Sequence, residues 1–178
     1  MLKKMKLWWK FEGRYYHKNF IQGVKNLWKW FPTIWKDRDW DHYFIYEILR
    51  VKLENQAYSI ESNDRHTRAQ RDAEIMLLCA RLIQIQQEDL YTIEYLDYYK
   101  EDHKFVPTDE TKKWYTIENT LIEDNLDEYF AKYPKQYKKY AGENERWVIA
   151  FKIAQYNQDR SRKLLFKIIE QHIEGWWD

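Results

Sequence analysis

Apolar residues recur every three to four positions through most of this chain, the spacing that lines one face of an α-helix. The longest regular pattern runs from Glu143 to about Gly175. There Trp147, Ala150, Phe151, Ala154, Leu164, Leu165, Ile168, Ile169 and Ile173 mark a buried side. A second long helix is predicted over about 67–99, with Ala69, Ala73, Met76, Leu77, Ala80, Ile83 and Leu90 inward. Its start, Thr67-Arg68-Ala69-Gln70, fits a capping box. A third helix should begin near Asp37 or Asp39, either able to cap backbone N–H groups, and continue to about Ile60. Glu61-Ser62-Asn63-Asp64 then reads as a turn. Residues 101–110, with Pro107, read as a loop. A helix from about Asp109, with Trp114, Ile117, Leu121, Ile122 and Leu126 inward, should end at Tyr133-Pro134, and a short helical turn around Tyr137–Tyr140 at Gly142.

The first 31 residues predict a basic, Trp-rich amphipathic arm. Leu2, Met5, Trp8 and Trp9 share a face, and after a break at Gly13 so do Phe20, Val24, Leu27, Trp28 and Phe31. Lysines lie between them, and Phe31-Pro32 should close the arm, because a residue before proline is pushed out of the helical region. Residues 32–178 would then be the core, in one domain overall.

Composition supports an all-α, single-domain helical bundle with two long helices and several shorter ones. Aromatic residues make up 19% of the 178 positions, while Gly 4 and Pro 3 are too few for the turns of an all-β fold. The single Cys79, in Met76-Leu77-Leu78-Cys79-Ala80, rules out an intrachain disulfide and reads as a buried structural thiol. No apolar run reaches the roughly 18 residues of a membrane span, and none resembles a secretory signal, so a soluble, cytosolic protein is expected.

Net charge of +1 hides an asymmetry. Residues 1–38 hold ten Lys or Arg against Glu12 and Asp37, a net +8, which leaves −7 for the remainder. The arm is therefore expected to dock on the acidic remainder or on a second subunit, with membrane or nucleic-acid binding as the weaker alternatives.

Little points to catalysis. Asp39-x-x-His42 places a carboxylate and an imidazole on one helical face, but a dimetal site needs a second such pair, and His17, His66, His103 and His172 lack one. Zinc-ligand spacings, a Gly-rich phosphate loop and a nucleophile elbow are absent from the sequence. A non-enzymatic protein without metal or cofactor is the expectation. More informative are polar residues on otherwise apolar helix faces: Tyr46 and Glu47, then Arg68, Arg71 and Asp72, then Asn157, Gln158, Arg160 and Ser161. They form either a hydrogen-bonded network that fixes helix register or a pocket for an anionic ligand. Candidate ligand-binding residues are Arg38, His42, Tyr46, Arg71, Asn157 and Arg160.

The runs Trp28-Lys29-Trp30-Phe31-Pro32 and Ile34-Trp35-Lys36-Asp37-Arg38-Asp39-Trp40-Asp41-His42-Tyr43, the step Arg71-Asp72-Ala73-Glu74 and the end Trp176-Trp177-Asp178 resemble a family of short, largely uncharacterised tailed-bacteriophage proteins. The resemblance implies a phage origin and action in the host cytoplasm. Small phage proteins without catalytic motifs include inhibitors of host defence, some of which sequester nucleotide immune signals. By that analogy of class, the expected function is sequestration of a small anionic ligand, a nucleotide immune signal, by a homo-oligomer. The alternative is a protein-interaction or virion-associated helical module.

Overall fold

The long C-terminal pattern folds as a helix, although Trp147, Leu164 and Ile173, expected on its buried side, are exposed. In the computed structural model, which describes residue 9 and residues 13–63, 67–108, 113–142 and 145–177, a helix spans Arg146–His172 (α7). Its buried stripe is Ile149, Ala150, Ile153, Ala154, Asn157, Ser161 and Leu165. The start of the arm, with Leu2, Met5 and Trp8, and the expected turn residue Asp64 lie outside the described residues.

Before α7, the chain runs through helices Tyr16–Lys36 (α1), His42–Asn63 (α2), Ala69–Gln87 (α3) and Leu90–Ile93 (α4), then strands Tyr99–Pro107 (β1) and Tyr115–Asp124 (β2). Helices Leu126–Lys132 (α5) and Pro134–Tyr140 (α6) follow. It divides into two units, residues 1–48 and 49–178, with the boundary inside α2. The fold is mostly helical but not strictly all-α, because β1 and β2 make a two-stranded antiparallel sheet.

Within the second unit, α7 packs on α3, α4, α5, α6 and the 3₁₀ turn Glu94–Asp97. The inward face of α3 carries Ala69, Ala73, Met76, Cys79, Ala80 and Ile83. Small alanines on both α3 and α7 suit close helix approach. Leu77, expected inward, is exposed. Leu53, Gln56, Ala57 and Ile60 give α2 its own buried stripe. A second cluster joins Leu126, Tyr129, Phe130, Ile149, Ala150 and Ile153, with Tyr95, Tyr98, Tyr99, Tyr133 and Tyr140 against it. Cys79 is fully buried, and burial pushes its thiol up to about 11, as a structural cysteine should behave.

Four local expectations are corrected. The helix predicted over 67–99 stops at Gln87, because Asp89 adopts a left-handed backbone (φ 48°) before α4 restarts the turn. Aspartate tolerates that region better than most residues. The capping box at Thr67 is not formed; Arg68 is the N-cap and makes no side-chain cap bond. At α2 the cap is Asp41, whose Oδ1 accepts the Tyr43 N–H at 2.9 Å, rather than Asp37 or Asp39. Pro32 lies inside α1, which continues to Lys36. Proline removes only its own N–H bond there, one turn before the helix ends, while the apolar period carries on through Ile34 and Trp35.

The largest correction concerns residues 99–124. The expected loop 101–110 is mostly β1, and the expected helix after Asp109 is β2. Lys104 faces Glu118 and Phe105 faces Ile117 across the ladder, and Lys100 Nζ lies 3.2 Å from Glu123. A register shift after Lys100 marks a bulge that twists the hairpin's base. Thr116, Ile117, Thr120 and Ile122 are β-branched, which favours the strand once a partner strand is available.

Candidate functional site

In the second unit, a cavity of about 430 Å³ opens beside α7. Asn157, Arg160, Ser161 and Leu164 line it from that helix. Lys132, Tyr133, Pro134, Lys135 and Gln136 come from the α5–α6 corner, Leu82 from α3 and Tyr91 from α4. The corner exists because Pro134 cannot continue α5 but suits the first turn of a new helix. That break turns successive residues, Lys132 to Gln136, toward one hollow.

Electrostatically the lining is one-sided. It holds three cations, Lys132, Lys135 and Arg160, and no carboxylate. Neither Lys135 nor Arg160 makes an ion pair among the described residues. Lys132 is held by Glu94, whose carboxylate hydrogen-bonds it and keeps its pKa above the usual lysine value. The other oxygen of Glu94 accepts the Tyr133 hydroxyl at 2.7 Å. Asn157 is 7% exposed, and its buried amide nitrogen has no hydrogen-bond partner among the described residues. Other hollows mix signs: one is lined by Arg81, Glu94 and Asp97, another by Lys100, Glu101, His103 and Glu145.

Network and pocket both draw on the polar residues of α7, and Ser161 belongs to each. Gln158 donates through Nε2 to the Ile85 carbonyl at 3.3 Å and to Asp89 Oδ1 at 3.4 Å. Gln86 donates to Ser161 Oγ and to the Gln158 carbonyl (3.3 Å), and Ser161 donates to that same carbonyl at 2.9 Å. These bonds tie α7 to the end of α3. Asn157 and Arg160 take no part in them and face the cavity instead.

The predicted site residues are therefore distributed. Asn157 and Arg160 come together in the cavity, while Arg71 is exposed on the first turn of α3 and is not part of its lining. Arg38, His42 and Tyr46 belong to the first unit. There Arg38 donates to the Asp37 carbonyl at 2.8 Å, and His42 is 83% exposed at 3.8 Å from Asp41. The His42 and Tyr46 rings meet edge-on at 6.2 Å. Sequence reasoning missed Lys132, Lys135, Tyr133 and Tyr91, although Tyr133-Pro134 was already a visible break between two basic residues. No group of three potential metal-ligating side chains occurs among the described residues, and no helix among them is long and apolar enough to cross a membrane.

The phenols around Glu94 make the fold sensitive to alkali. Burial pushes Tyr95, Tyr129 and Tyr133 above the ordinary 10.0, helped at Tyr129 and Tyr133 by the nearby Glu94 charge. Unfolded phenols ionise from about pH 10 and the unfolded Cys79 thiol from about pH 9, whereas the folded groups hold their protons longer. The unfolded state thus binds fewer protons at high pH, and stability falls as pH rises. Melting temperatures should hold from neutral pH to about 9, then drop with a steepening slope above 10. A flat profile to pH 11 would contradict the burial of these groups.

Compared with protein-family models, curated proteins and solved structures, the chain matches none.

Proposed function

We propose that this protein is a non-enzymatic binder that sequesters a small phosphate-bearing ligand, a nucleotide, in the cavity beside α7, as a phage accessory protein acting against host defence signalling in the host cytoplasm. The observation that carries the reading is the company kept by Arg160. Two cations without ion-pair partners and a buried amide donor without a partner among the described residues share a cavity that no carboxylate lines. Cations gathered without counter-charge repel one another when the site is empty, and a bound anion relieves that cost. Lysine ammonium and arginine guanidinium groups suit phosphate oxygens, the latter as a two-pronged fork. Tyr91 and Tyr133 supply flat apolar faces for a base, and the volume falls in the range of small-molecule sites.

The test is thermal melting with nucleosides, linear nucleotides and cyclic dinucleotides. A ligand present at about 100 times its Kd should stabilise the protein by about 2.7 kcal/mol. Arg160→Ala should abolish the ligand-induced shift while leaving the ligand-free midpoint unchanged or raised, since the side chain is exposed and outside the network. Chromatography of the incubated ligand should return it intact. If no phosphate-bearing compound moves the midpoint, the reading fails. The second reading, a protein-interaction module, is then favoured by the hairpin, whose Phe105, Ile117, Leu121 and Ile122 are all exposed.

A further inference from the structure

The helix α1 presents an apolar face that no described residue of the first unit covers. Phe20, Val24, Leu27, Trp28, Phe31 and Trp35 follow one line along it, at exposures from 38% at Val24 to 76% at Trp28. Tyr16, Ile21 and Ile34 flank that line and are exposed as well. None of the 21 residues of α1 is counted as buried. Such a surface, about 31 Å long at 1.5 Å per residue, far exceeds the scattered apolar residues normal on a soluble protein.

The opposite face decides what covers it. At 100° per residue Lys18, Lys25, Lys29 and Lys36 fall together, away from the aromatic line, with Gln22, Asn26 and Thr33 beside them. The helix contains no Asp or Glu. A protein partner, or a second copy packed face to face, needs the apolar line but gives no reason for acids to be missing from the far side. An anionic bilayer surface needs both. Aromatic and aliphatic side chains enter the headgroup boundary, and lysines snorkel up to the phosphates. The four lysines also keep the helix from crossing the membrane, in agreement with the lack of any spanning helix among the described residues.

We infer that α1 is an interfacial helix that lays its Phe20–Trp35 face into an anionic lipid surface. Docking of this face on the acidic remainder is the competing reading, and it predicts no flotation with anionic vesicles. This inference is independent of the cavity beside α7, since it concerns a different unit and a different partner.

Flotation of the full chain with phosphatidylcholine vesicles, with and without phosphatidylserine, tests it. Binding is expected on the anionic vesicles, weak on the neutral ones, and reduced by added salt. Lys25→Gln/Lys29→Gln should lower partitioning about thirtyfold. Leu27→Glu/Phe31→Glu should remove it while the circular dichroism spectrum and melting of the protein persist. Failure to float with anionic vesicles overturns the inference, as does floating that survives Leu27→Glu/Phe31→Glu. So does a stable dimer that ignores vesicles and is dissociated by that same pair, which would assign the face to a second copy.

Discussion

Replacing Tyr129 with phenylalanine is expected to leave the protein as stable as before or more so, by up to about 1–3 kcal/mol, whereas alanine at the same position should cost about 3–5 kcal/mol. Tyr129 is fully buried in the cluster of α5 and α7 residues, and its hydroxyl has no hydrogen-bond partner among the described residues. Its ring meets Tyr133 at 5.2 Å, Tyr98 at 5.6 Å and Phe130 at 6.3 Å. Phenylalanine keeps all of those contacts and removes a desolvated oxygen. Alanine empties a ring-sized volume between helices that are already held by backbone packing and cannot close over it. Urea titration of the two variants checks the pair. A Tyr129→Phe variant that loses more than about 1.5 kcal/mol would mean that the hydroxyl is satisfied in solution and that the cluster is built differently.

That cluster also shows what the sequence could and could not convey. Ala150 and Ala154 were legible as inward residues of α7, because a long helix packed against others keeps its apolar period for many turns. The break at Tyr133-Pro134 was legible because proline lacks the N–H of a helix interior but suits a first turn, whereas the same signal misled at Pro32, which α1 runs through to Lys36. The break at Asp89 was not. A single left-handed aspartate leaves no mark in a pattern where Ile83 and Leu90 still fall at helical spacing, and the Gln158–Asp89 contact is 69 residues away in sequence. The hairpin failed for a related reason. Trp114, Ile117 and Leu121 sit three and four apart and mimic a helical stripe, yet all three are exposed, so no core exists to reward that period. Strand pairing with residues 99–107 then decides, and pairing is invisible in one segment read alone.

Two of the six candidate residues, Asn157 and Arg160, line the cavity beside α7. Asn157 and Arg160 interrupt an apolar face, and polar interruption does mark them. The same signal could not separate them from Gln158 and Ser161, because the distinction depends on what α3 offers opposite each position: the Ile85 carbonyl bonds Gln158 and Gln86 bonds Ser161 at the cavity's edge, while Asn157 and Arg160 meet open space. Lysines such as Lys132 and Lys135 look like ordinary solvated charges until the corner at Pro134 aims them at α7.

Glu94→Gln is expected to move stability and ligand affinity in opposite directions. Glu94 is the only carboxylate among the described residues paired with a cavity cation: it holds Lys132 through one oxygen and the Tyr133 hydroxyl through the other. Glutamine keeps the shape and can still accept from Tyr133, but the charge that strengthens both bonds is gone. A charge-assisted bond reduced to a neutral one should lower stability by about 1–2 kcal/mol. The same change frees the Lys132 ammonium beside Lys135 and Arg160. Lys132 is half-exposed and screened by solvent, so its release should tighten phosphate-ligand binding by a modest factor, roughly three- to tenfold, and the gain should shrink with added salt. Calorimetric titration of the wild-type and Glu94→Gln proteins with whichever nucleotide shifts the melting midpoint measures it. A purely structural role for Glu94 predicts the opposite, since a loosened α5–α6 corner would weaken any ligand held there. Affinity that falls along with stability would therefore remove Lys132 from the site, and affinity that rises as stability falls would place it there.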